Sequence, residues 1–520
     1  MMKKIPAFFA LAAAAASLAA EEIPLTGADF RLGKFKSGGV ECTASFQDGV
    51  LTVEVTPTSN ITNETRGAVL AVPPEKLIGK GVRFQGEVRY ENIASDAGGP
   101  HVGGKILASV ARDGLYQFFV TPSLKGTEEK WLPVSLYCTF PADQVSAHVV
   151  FGIQQGWGRI QFRNLTCETL PLKSAAAINP PAGFRCEYTD RVAKNVPRRG
   201  VMSPPWARLC EKDLRDLASW NVNLIRYQIV DGLKDATDLE EYAAWFDRAL
   251  GHLEELMPIL KECGIQVIVD MHVVPGGRFG SAAKENGEDP SHFRMMQDPE
   301  CRDAFLDIWR KTAARLKGNP QVYAFDLCNE PIQHGDVRWS FWQLQYDAAK
   351  AIREVDPEVP IMAESNHMAD PIFFEMTPMP LKNIIYSVHM YAPGPYTHQG
   401  VNDDSYVKTF PSKRFDYRDA GWDRARLRKA VDAVRQFQQK YGAKIQVGEF
   451  SAAVWAPGAA AYLDDVASIF EEYGWDWSYH AFREWEGWSL EHEGTPTDLQ
   501  YVGDTDRKQA LLKYFLKNRR

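Results

Sequence analysis

The feature that most constrains the fold is the alternation of short apolar stretches with longer amphipathic stretches that begins near residue 200. Residues 239–263, for example, have the spacing of an amphipathic helix and lead into residues 265–272, which are typical of a buried strand. Counted from a first strand near residues 200–202, the pattern gives eight strand-helix units, with a weak fifth helix around Phe373. Eight units close a parallel (β/α)8 barrel. The fold class predicted here is therefore α/β, a TIM barrel.

The sequence before the predicted barrel has a different pattern. From about residue 23, short segments of alternating apolar and polar residues are separated by Gly, Pro and Asn, which is typical of an all-β sandwich. The last of them, residues 158–165, resembles the closing strand of jelly-roll carbohydrate-binding modules. Because 520 residues exceed what one core normally holds, we expect a jelly-roll-like β-sandwich at 21–172, a linker at 173–190 and the barrel at 191–520.

The N-terminus has the pattern of an export signal. Two lysines at residues 3 and 4 precede an apolar, alanine-rich stretch, and Ser17 and Ala19 lie at a cleavage spacing. We therefore expect a signal peptide at residues 1–20, cleaved near Ala19, and a secreted or periplasmic mature protein. No later segment approaches about 18 unbroken apolar residues, so we expect no membrane insertion.

Composition argues against several classes of partner. The formal charge is −8, the pI is near 5.9, and no long basic run occurs outside the termini, so nucleic acid is not an expected partner. The eight cysteines lack the C-x-x-C spacing of a metal-binding knuckle, and we expect no cofactor. A neutral or weakly polar substrate fits this balance, and the oligomeric state stays open.

Polar and charged residues recur where the predicted barrel strands end. Active sites of such barrels form at that end of the sheet. Taken singly, each residue has a structural explanation, such as an ion pair or a buried histidine, but convergence from five or six strands favours one shared site. The residues are Arg226, Asp270, His272, Asn329, Glu330, His389, Tyr391 and Glu449, followed by an aromatic cluster at 475–488.

Two of these residues form a pair that suits glycoside hydrolysis. Glu330 follows the fourth strand in Asn-Glu-Pro and Glu449 ends the seventh, so we expect their side chains to face each other across the barrel mouth. Two carboxyl groups about 5 to 5.5 Å apart are required to cleave a glycosidic bond with retention of configuration. The attacking group must be ionised, which Arg226 and Tyr391 would favour, whereas the donor must carry a proton, which the nearby first carboxylate would favour.

The chain from about residue 200 to residue 517 resembles glycoside hydrolase family 5, the cellulase-type group of retaining (β/α)8 glycosidases. The motif positions imply that Glu330 is the acid/base and Glu449 the nucleophile of a double displacement. The resemblance implies five supporting roles: Arg226 holds the nucleophile, His272 lines the sugar site, Asn329 bonds the sugar 2-hydroxyl, His389 supports the acid/base and Tyr391 supports the nucleophile.

The sequence departs from the family pattern at one position. The family has a tryptophan platform at the end of the eighth strand, where this chain has His480. Trp477, Trp485 or Trp488 could supply a stacking face instead, and we favour Trp485. The alternative is that these tryptophans pack the lower rim of the barrel.

The expected activity is retaining hydrolysis of a β-linked glucan-type polysaccharide or oligosaccharide by a secreted enzyme. β-Mannanase or xylanase activity on the same scaffold is an alternative. Two rivals come from other classes: a metal-dependent barrel hydrolase or isomerase that uses Asp270, His272, His389 and the two glutamates, Glu330 and Glu449, as ligands, and a catalytically inactive carbohydrate-binding protein.

Two further regions allow more than one interpretation. Trp157 and Tyr116 of the predicted sandwich could stack on sugar rings, or could serve only the packing of that domain. The connections at 273–299 and 392–423 are long for a compact fold. The second, which includes Tyr406 and Phe410, would either wall off one end of the groove or pack on itself as an Ω-loop.

Overall fold

The structure is a computed structural model of the chain. It describes residues 21–518 except for 38–39, 58–64, 72–76, 78–79, 97–101, 113–114, 122, 141–145, 172–179, 194–196, 278–292, 334–336 and 402–413. The expected signal peptide, much of the expected linker, and Tyr406 and Phe410 lie outside the described residues.

The N-terminal part of the chain forms two antiparallel sheets, as the two-residue alternation predicts. Its described strands are β1 Glu21–Pro24, β2 Phe30–Arg31, β3 Gly33–Ser37, β4 Val40–Gln47, β5 Val50–Val55, β6 Thr65–Leu70, β7 Lys80–Ala94, β8 Gly103–Arg112, β9 Leu115–Val120, β10 Gly126–Phe140, β11 Ser146–Gln154 and β12 Trp157–Pro171. One sheet has the order β10-β7-β12-β5-β4-β3, with β1 paired to β12, and the other has the order β2-β6-β11-β8-β9.

The two sheets enclose one apolar core. Phe84, Phe151 and Phe162 are fully buried, and Phe151 meets the other two rings edge to face at centroid distances of 5.9 and 5.4 Å, which is a favoured geometry for aromatic pairs. Trp157 packs against this core and is partly buried, as the packing interpretation expects. The side chain of Tyr116 lies outside the described residues.

The C-terminal part is a closed barrel of eight parallel strands, which confirms the predicted fold class. The strands pair in chain order, and β20 closes the barrel against β13. Their bounds are β13 Arg199–Met202, β14 Leu224–Gln228, β15 Gln266–Asp270, β16 Val322–Asp326, β17 Ile361–Glu364, β18 Ile384–Met390, β19 Lys444–Phe450 and β20 Asp476–Tyr479, followed by a hairpin of β21 His492–Thr495 and β22 Asp498–Tyr501.

Helices connect the barrel strands. The longest begins after Asp238, whose carboxylate accepts the N–H groups of Glu240 and Glu241, and ends at Gly264 in the left-handed conformation (φ 67°). The described α-helices are α1 Asp190–Ala193, α2 Glu211–Ser219, α3 Leu239–Cys263, α4 Pro299–Leu316, α5 Phe341–Arg353, α6 Gly394–Thr397, α7 Arg424–Ala430, α8 Asp432–Tyr441, α9 Ala459–Tyr473 and α10 Asp506–Phe515. None of the helices described is both long and apolar enough to cross a membrane.

The helix pattern differs from the sequence expectation in two places. Between β17 and β18 the described chain has only a short 3₁₀ turn, Pro371–Phe373, where the weak fifth helix was expected. The helix expected at 425–441 is two helices, because the N–H of Val431 bonds the carbonyl of Arg428, three residues back, and interrupts the α-helical ladder.

Side chains inside the barrel lie in an apolar layer and a polar layer. The apolar layer contains Leu224, Ile268, Tyr323, Ala324, Met362 and Ile385. Because strand side chains alternate between the two faces, the residues two positions further along four of these strands point the same way. Those residues are Arg226, Asp270, Asp326 and Glu364, so the polar layer lies toward the C-terminal mouth.

Candidate active site

A buried arginine forms the centre of the polar layer. Arg226 has no exposed surface, and its guanidinium is surrounded by groups from four neighbouring strands. Such a fork of donors matches several oxygens at once. Its partners are Asp326 Oδ2 at 2.8 Å from Nε, Glu449 Oε1 at 2.7 Å from Nη1, and Asn329 Oδ1 at 2.8 Å, Glu364 Oε1 at 3.1 Å and Asp270 Oδ1 at 3.1 Å from Nη2.

Glu449 is aimed at the barrel mouth by an irregularity in its strand. Val388 pairs with Val447 but His389 pairs with Glu449, so Gly448 is an extra residue in the ladder. A Cβ on Gly448 would lie 2.8 Å from His389 Nε2, so only glycine allows this close approach. The Glu449 carboxylate then lies between Arg226 Nη1 and the hydroxyl of Tyr391, which donates to Oε2 at 2.8 Å.

Glu330 lies opposite Glu449 and contacts a histidine. His389 Nδ1 lies 3.0 Å from Glu330 Oε1 and 3.7 Å from Glu449 Oε2. Carboxylate oxygens of the two glutamates lie within 4.8 Å of each other, and their side chains keep 13% and 6% exposure. The two carboxyl groups therefore line one cleft that is accessible to a ligand.

A second histidine lines the cleft and contacts an aspartate and an asparagine. His272 Nδ1 lies 2.9 Å from Asp270 Oδ2, and its Nε2 faces the amide nitrogen of Asn329 at 3.5 Å. Asn329 is fully buried and presents its amide oxygen to Arg226. The predicted residues His272 and Asn329 are thus brought to the same cleft as Glu449.

His480 ends the eighth strand at the cleft, in contact with an acidic partner. His480 Nε2 lies 2.8 Å from Glu484 Oε2, and its ring meets the rings of Tyr391 and Trp488 at centroid distances of 6.1 and 5.8 Å. Trp485 is 39% exposed and packs against Trp488 at 5.7 Å. His480 and Trp488 therefore both adjoin Tyr391, Trp488 at a centroid distance of 6.4 Å, and the stacking role of Trp485 stays a prediction.

Trp477, one of the alternatives for the stacking face, is fully buried. It packs on Phe515 at a centroid distance of 5.2 Å and on Phe450 at 5.5 Å. It belongs to the core between the barrel and its helices, as the packing alternative expects.

Neighbouring charges lower the pKa of the Glu449 carboxyl group and raise the pKa values of two histidines in the cleft. Burial acts to raise the pKa of Glu449, but His389, His480 and Arg226 outweigh it and hold that pKa well below its ordinary value. Burial acts to lower the pKa of His389, but Glu364 and Glu449 raise it above its ordinary value. His480 follows the same rule, because Glu484 and Glu449 outweigh its burial and raise its pKa. The site therefore holds an ionised Glu449 beside the guanidinium of Arg226.

The same donors could in principle hold a metal. Glu330, His389 and Glu449 offer oxygen and nitrogen ligand atoms within 4.8 Å of one another. Glu449, however, already accepts from Arg226 and Tyr391, and His389 Nδ1 already faces Glu330. The guanidinium 2.7 Å from Glu449 would repel a divalent cation, so the geometry does not favour the metal-dependent alternative.

Three acidic residues of the cleft were not foreseen as site residues. Asp326 and Glu364 contact Arg226, and Glu484 contacts His480. The first two stand two positions after Ala324 and Met362, but every residue of their strands is buried, so the sequence gives no signal that they face the barrel interior. Glu484 lies in the loop after β20, where the sequence has no periodic pattern that would identify it as a site residue.

Comparison with known proteins gives a family match that lies in the barrel part of the chain. The sequence model of the cellulase family (glycosyl hydrolase family 5) matches residues 190–484. The chain is 24% identical over 303 residues to Endoglucanase C of Acetivibrio thermocellus, covering 52% of this chain and 84% of that protein. It is 21% identical over 280 residues to Cellodextrinase A of Ruminococcus flavefaciens, covering 53% and 79%. The solved structure of Thermotoga maritima Cel5A in complex with mannotriose aligns with a TM-score of 0.47 and 18% identity, covering 61% of this chain and 97% of that one.

The depressed pKa of Glu449 predicts a pH-dependent contribution to stability. A carboxylate whose pKa is lower in the folded state stabilises the fold above its unfolded pKa of about 4.3, and the contribution is lost as the pH falls toward the folded pKa. Glu449→Gln removes this titration. We expect the difference in unfolding free energy between wild type and this variant to shrink as the pH is lowered below about 5.

Urea unfolding followed by tryptophan fluorescence at several pH values measures that difference. Glu354, whose side chain is 65% exposed, provides the control, because Glu354→Gln should give a difference that changes little with pH. A constant difference for Glu449→Gln would contradict the assignment of an ionised Glu449.

Proposed function

Since this chain belongs to the cellulase family, glycosyl hydrolase family 5, it is a glycoside hydrolase, and we propose that it cleaves β-linked glucan with retention of anomeric configuration. The proposal of retention rests on one distance: carboxylate oxygens of Glu330 and Glu449 lie within 4.8 Å of each other. Inverting enzymes need about 6.5 to 9.5 Å between the two carboxyl groups to admit a water molecule, whereas retaining enzymes need about 5 to 5.5 Å. The short separation supports retention.

Glu449 is the proposed nucleophile. Its ionised carboxylate attacks the anomeric carbon and forms a covalent bond as the bond to the leaving oxygen breaks. Arg226 and Tyr391 donate to its two oxygens, which holds the carboxylate in one orientation. They also hold the charge of the carboxylate when it is released in the second step.

Glu330 is the proposed acid/base. In the first step it donates its proton to the leaving oxygen, and in the second it accepts a proton from the water that attacks the anomeric carbon and releases Glu449. Each proton lost is therefore regained within one turnover. His389, 3.0 Å from Glu330, supports this exchange.

β-Glucan is the proposed substrate because the relatives described above are named as an endoglucanase and a cellodextrinase. β-Mannan is the second candidate, as another sugar for a subsite in which the polar pair His480–Glu484 stands in place of the family's tryptophan. A polar floor bonds sugar hydroxyls, whereas an aromatic floor stacks on the C–H face of a ring. Xylan and a binding-only role remain the alternatives that the experiment must distinguish.

The direct test is release of reducing sugar from purified β-glucan, β-mannan and xylan. We expect release from β-glucan, and none from the Glu330→Ala/Glu449→Ala double variant. Release from mannan or xylan alone would replace the proposed substrate by that polymer. Binding of a polymer by wild type without release would overturn the hydrolytic proposal in favour of a binding-only role.

A nucleophile variant tests the role of Glu449. Glu449→Ala should reduce hydrolysis to background, because no group remains to attack the anomeric carbon. Added azide should enter the vacated space and give a glycosyl azide of inverted configuration. NMR determines the anomeric configuration of the glycosyl azide. Glu354→Ala serves as the surface control that retains activity. Near-normal hydrolysis by Glu449→Ala would contradict the assignment.

Export is proposed from the lysines at residues 3 and 4 and the apolar stretch that follows them. The N-terminal sequence of the protein recovered outside the cytoplasm of the producing cell tests it. The expected N-terminus lies close to Ala20. Intact protein that still begins at Met1, and that stays in the cytoplasm, would overturn this proposal.

A further inference from the structure

Glu364, at the end of β17, is a fully buried carboxylate that cannot touch a substrate. Its Oε1 receives Arg226 Nη2 at 3.1 Å and faces His389 Nε2 at 3.1 Å. Its Oε2 accepts the backbone N–H of Glu330 at 2.6 Å. One carboxylate therefore contacts both the backbone of the proposed acid/base and the histidine beside it.

The backbone contact has a specific conformational consequence. Glu330 adopts φ 48°, a left-handed conformation that residues other than glycine adopt only at some cost. The N–H of Glu330 points at Glu364 Oε2 in this conformation. Glu364 therefore helps to fix where the side chain of Glu330 leaves the chain.

His389 lies between two carboxyl groups, with one ring nitrogen facing each. Nδ1 is 3.0 Å from Glu330 Oε1 and Nε2 is 3.1 Å from Glu364 Oε1. A neutral imidazole has one N–H and one lone pair, so the group opposite Nε2 decides what Nδ1 offers to Glu330. An ionised Glu364 requires a proton on Nε2, which leaves the Nδ1 lone pair facing Glu330.

We propose that Glu364 is a positioning residue for the acid/base step, which fixes the Nε2 proton of His389 so that Nδ1 accepts the carboxyl proton of Glu330. The inference rests on the proposed acid/base function of Glu330. One proton is shared along the 3.0 Å line between Glu330 Oε1 and His389 Nδ1. While Glu330 is protonated, its O–H donates to Nδ1. When Glu330 has given its proton to the leaving oxygen, the carboxylate awaits the proton of the attacking water.

The charged groups around Glu330, His389 and Glu364 are consistent with an ionised Glu364. Burial acts to raise the pKa of Glu364, but His389 and Arg226 outweigh it and lower the pKa. Burial together with Glu364 raises the pKa of Asp326 well above its ordinary value. The titratable and charged groups that face Glu364 and His389 are Arg226 from β14, Asp326 from β16, Glu330 in the loop after it, Glu449 from β19 and His480 after β20.

Glu364→Gln keeps the shape of the side chain and changes what it can accept. If the amide NH₂ faces His389, it donates to Nε2 and moves the ring proton to Nδ1, where the N–H favours ionised Glu330. If the NH₂ faces Glu330 instead, the backbone N–H loses its acceptor. The first orientation disfavours the acid form of Glu330, and the second removes the backbone contact that positions its side chain.

The test compares phenyl and dinitrophenyl β-cellobioside as substrates of the full-length enzyme. Only the phenyl leaving group needs a proton, and a general acid contributes about a hundredfold or more. We expect Glu364→Gln to lose about tenfold more kcat/KM on the phenyl substrate than on the dinitrophenyl substrate. The basic limb of the pH profile for the phenyl substrate should move to lower pH.

Asp270→Asn is the matched control. Asp270 is also fully buried, also lies 3.1 Å from Arg226 Nη2, and also faces a histidine nitrogen, that of His272 at 2.9 Å. The substitution removes a comparable carboxylate from the same guanidinium, but the histidine beside it, His272, faces the amide of Asn329. We expect an equal loss on both substrates and an unmoved basic limb.

Glu330→Ala separates the inference from the function on which it rests. If Glu330→Ala loses equally on both substrates, the acid role of Glu330 and the inference are both wrong. If it loses mainly on the phenyl substrate while Glu364→Gln loses equally on both, only the inference is wrong. Should Glu364→Gln fail to fold, Glu364→Asp, which keeps the charge but withdraws it from His389, must show the same substrate preference to a smaller extent, and an equal loss would overturn the proposal.

Discussion

The site depends on a single buried cation. Arg226 is enclosed without exposed surface and contacts carboxyl groups from β15, β16, β17 and β19. A buried charge without partners is strongly destabilising, and so is a buried carboxylate whose cation is removed. The guanidinium therefore fixes four strand ends relative to one another as a condition of folding. The low pKa of Glu449 and the orientation of Glu364 both follow from this arrangement.

Much of this arrangement could be predicted from local sequence. The eight strands follow from the alternation of apolar and amphipathic stretches, because each strand is buried on both faces and each helix on one. Asn329, Glu330 and Glu449 could be identified because a polar residue at the end of an apolar strand is conspicuous. Asp326 and Glu364 are equally polar, but every residue of their strands is buried, so the sequence does not show which side faces the barrel interior.

The parts that escaped prediction depend on tertiary contacts. Glu484 becomes part of the cleft because the loop after β20 returns it to His480 at 2.8 Å, and no periodicity in that loop marks it. The helix is interrupted at Val431, where no proline or glycine in the sequence predicts a break. The contacts of Tyr391 with His480 and Trp488 likewise depend on the tertiary fold, and the stacking role of Trp485 stays a prediction. Sequence distance does not specify which side chain reaches the cleft.

The charges of the cleft bear on the class of sugar that it can accept. Arg226 faces Glu449, His389 faces Glu364 and His480 faces Glu484. A carboxylate on the substrate would have to compete with a protein carboxylate for each of these basic groups, and it would meet the ionised Glu449 as well. Hydroxyl groups meet no such competition, because they can donate to a paired carboxylate and accept from a paired histidine without breaking the pair. The pairing within the cleft therefore favours a neutral sugar, such as the glucose units of a β-glucan, over a uronic acid.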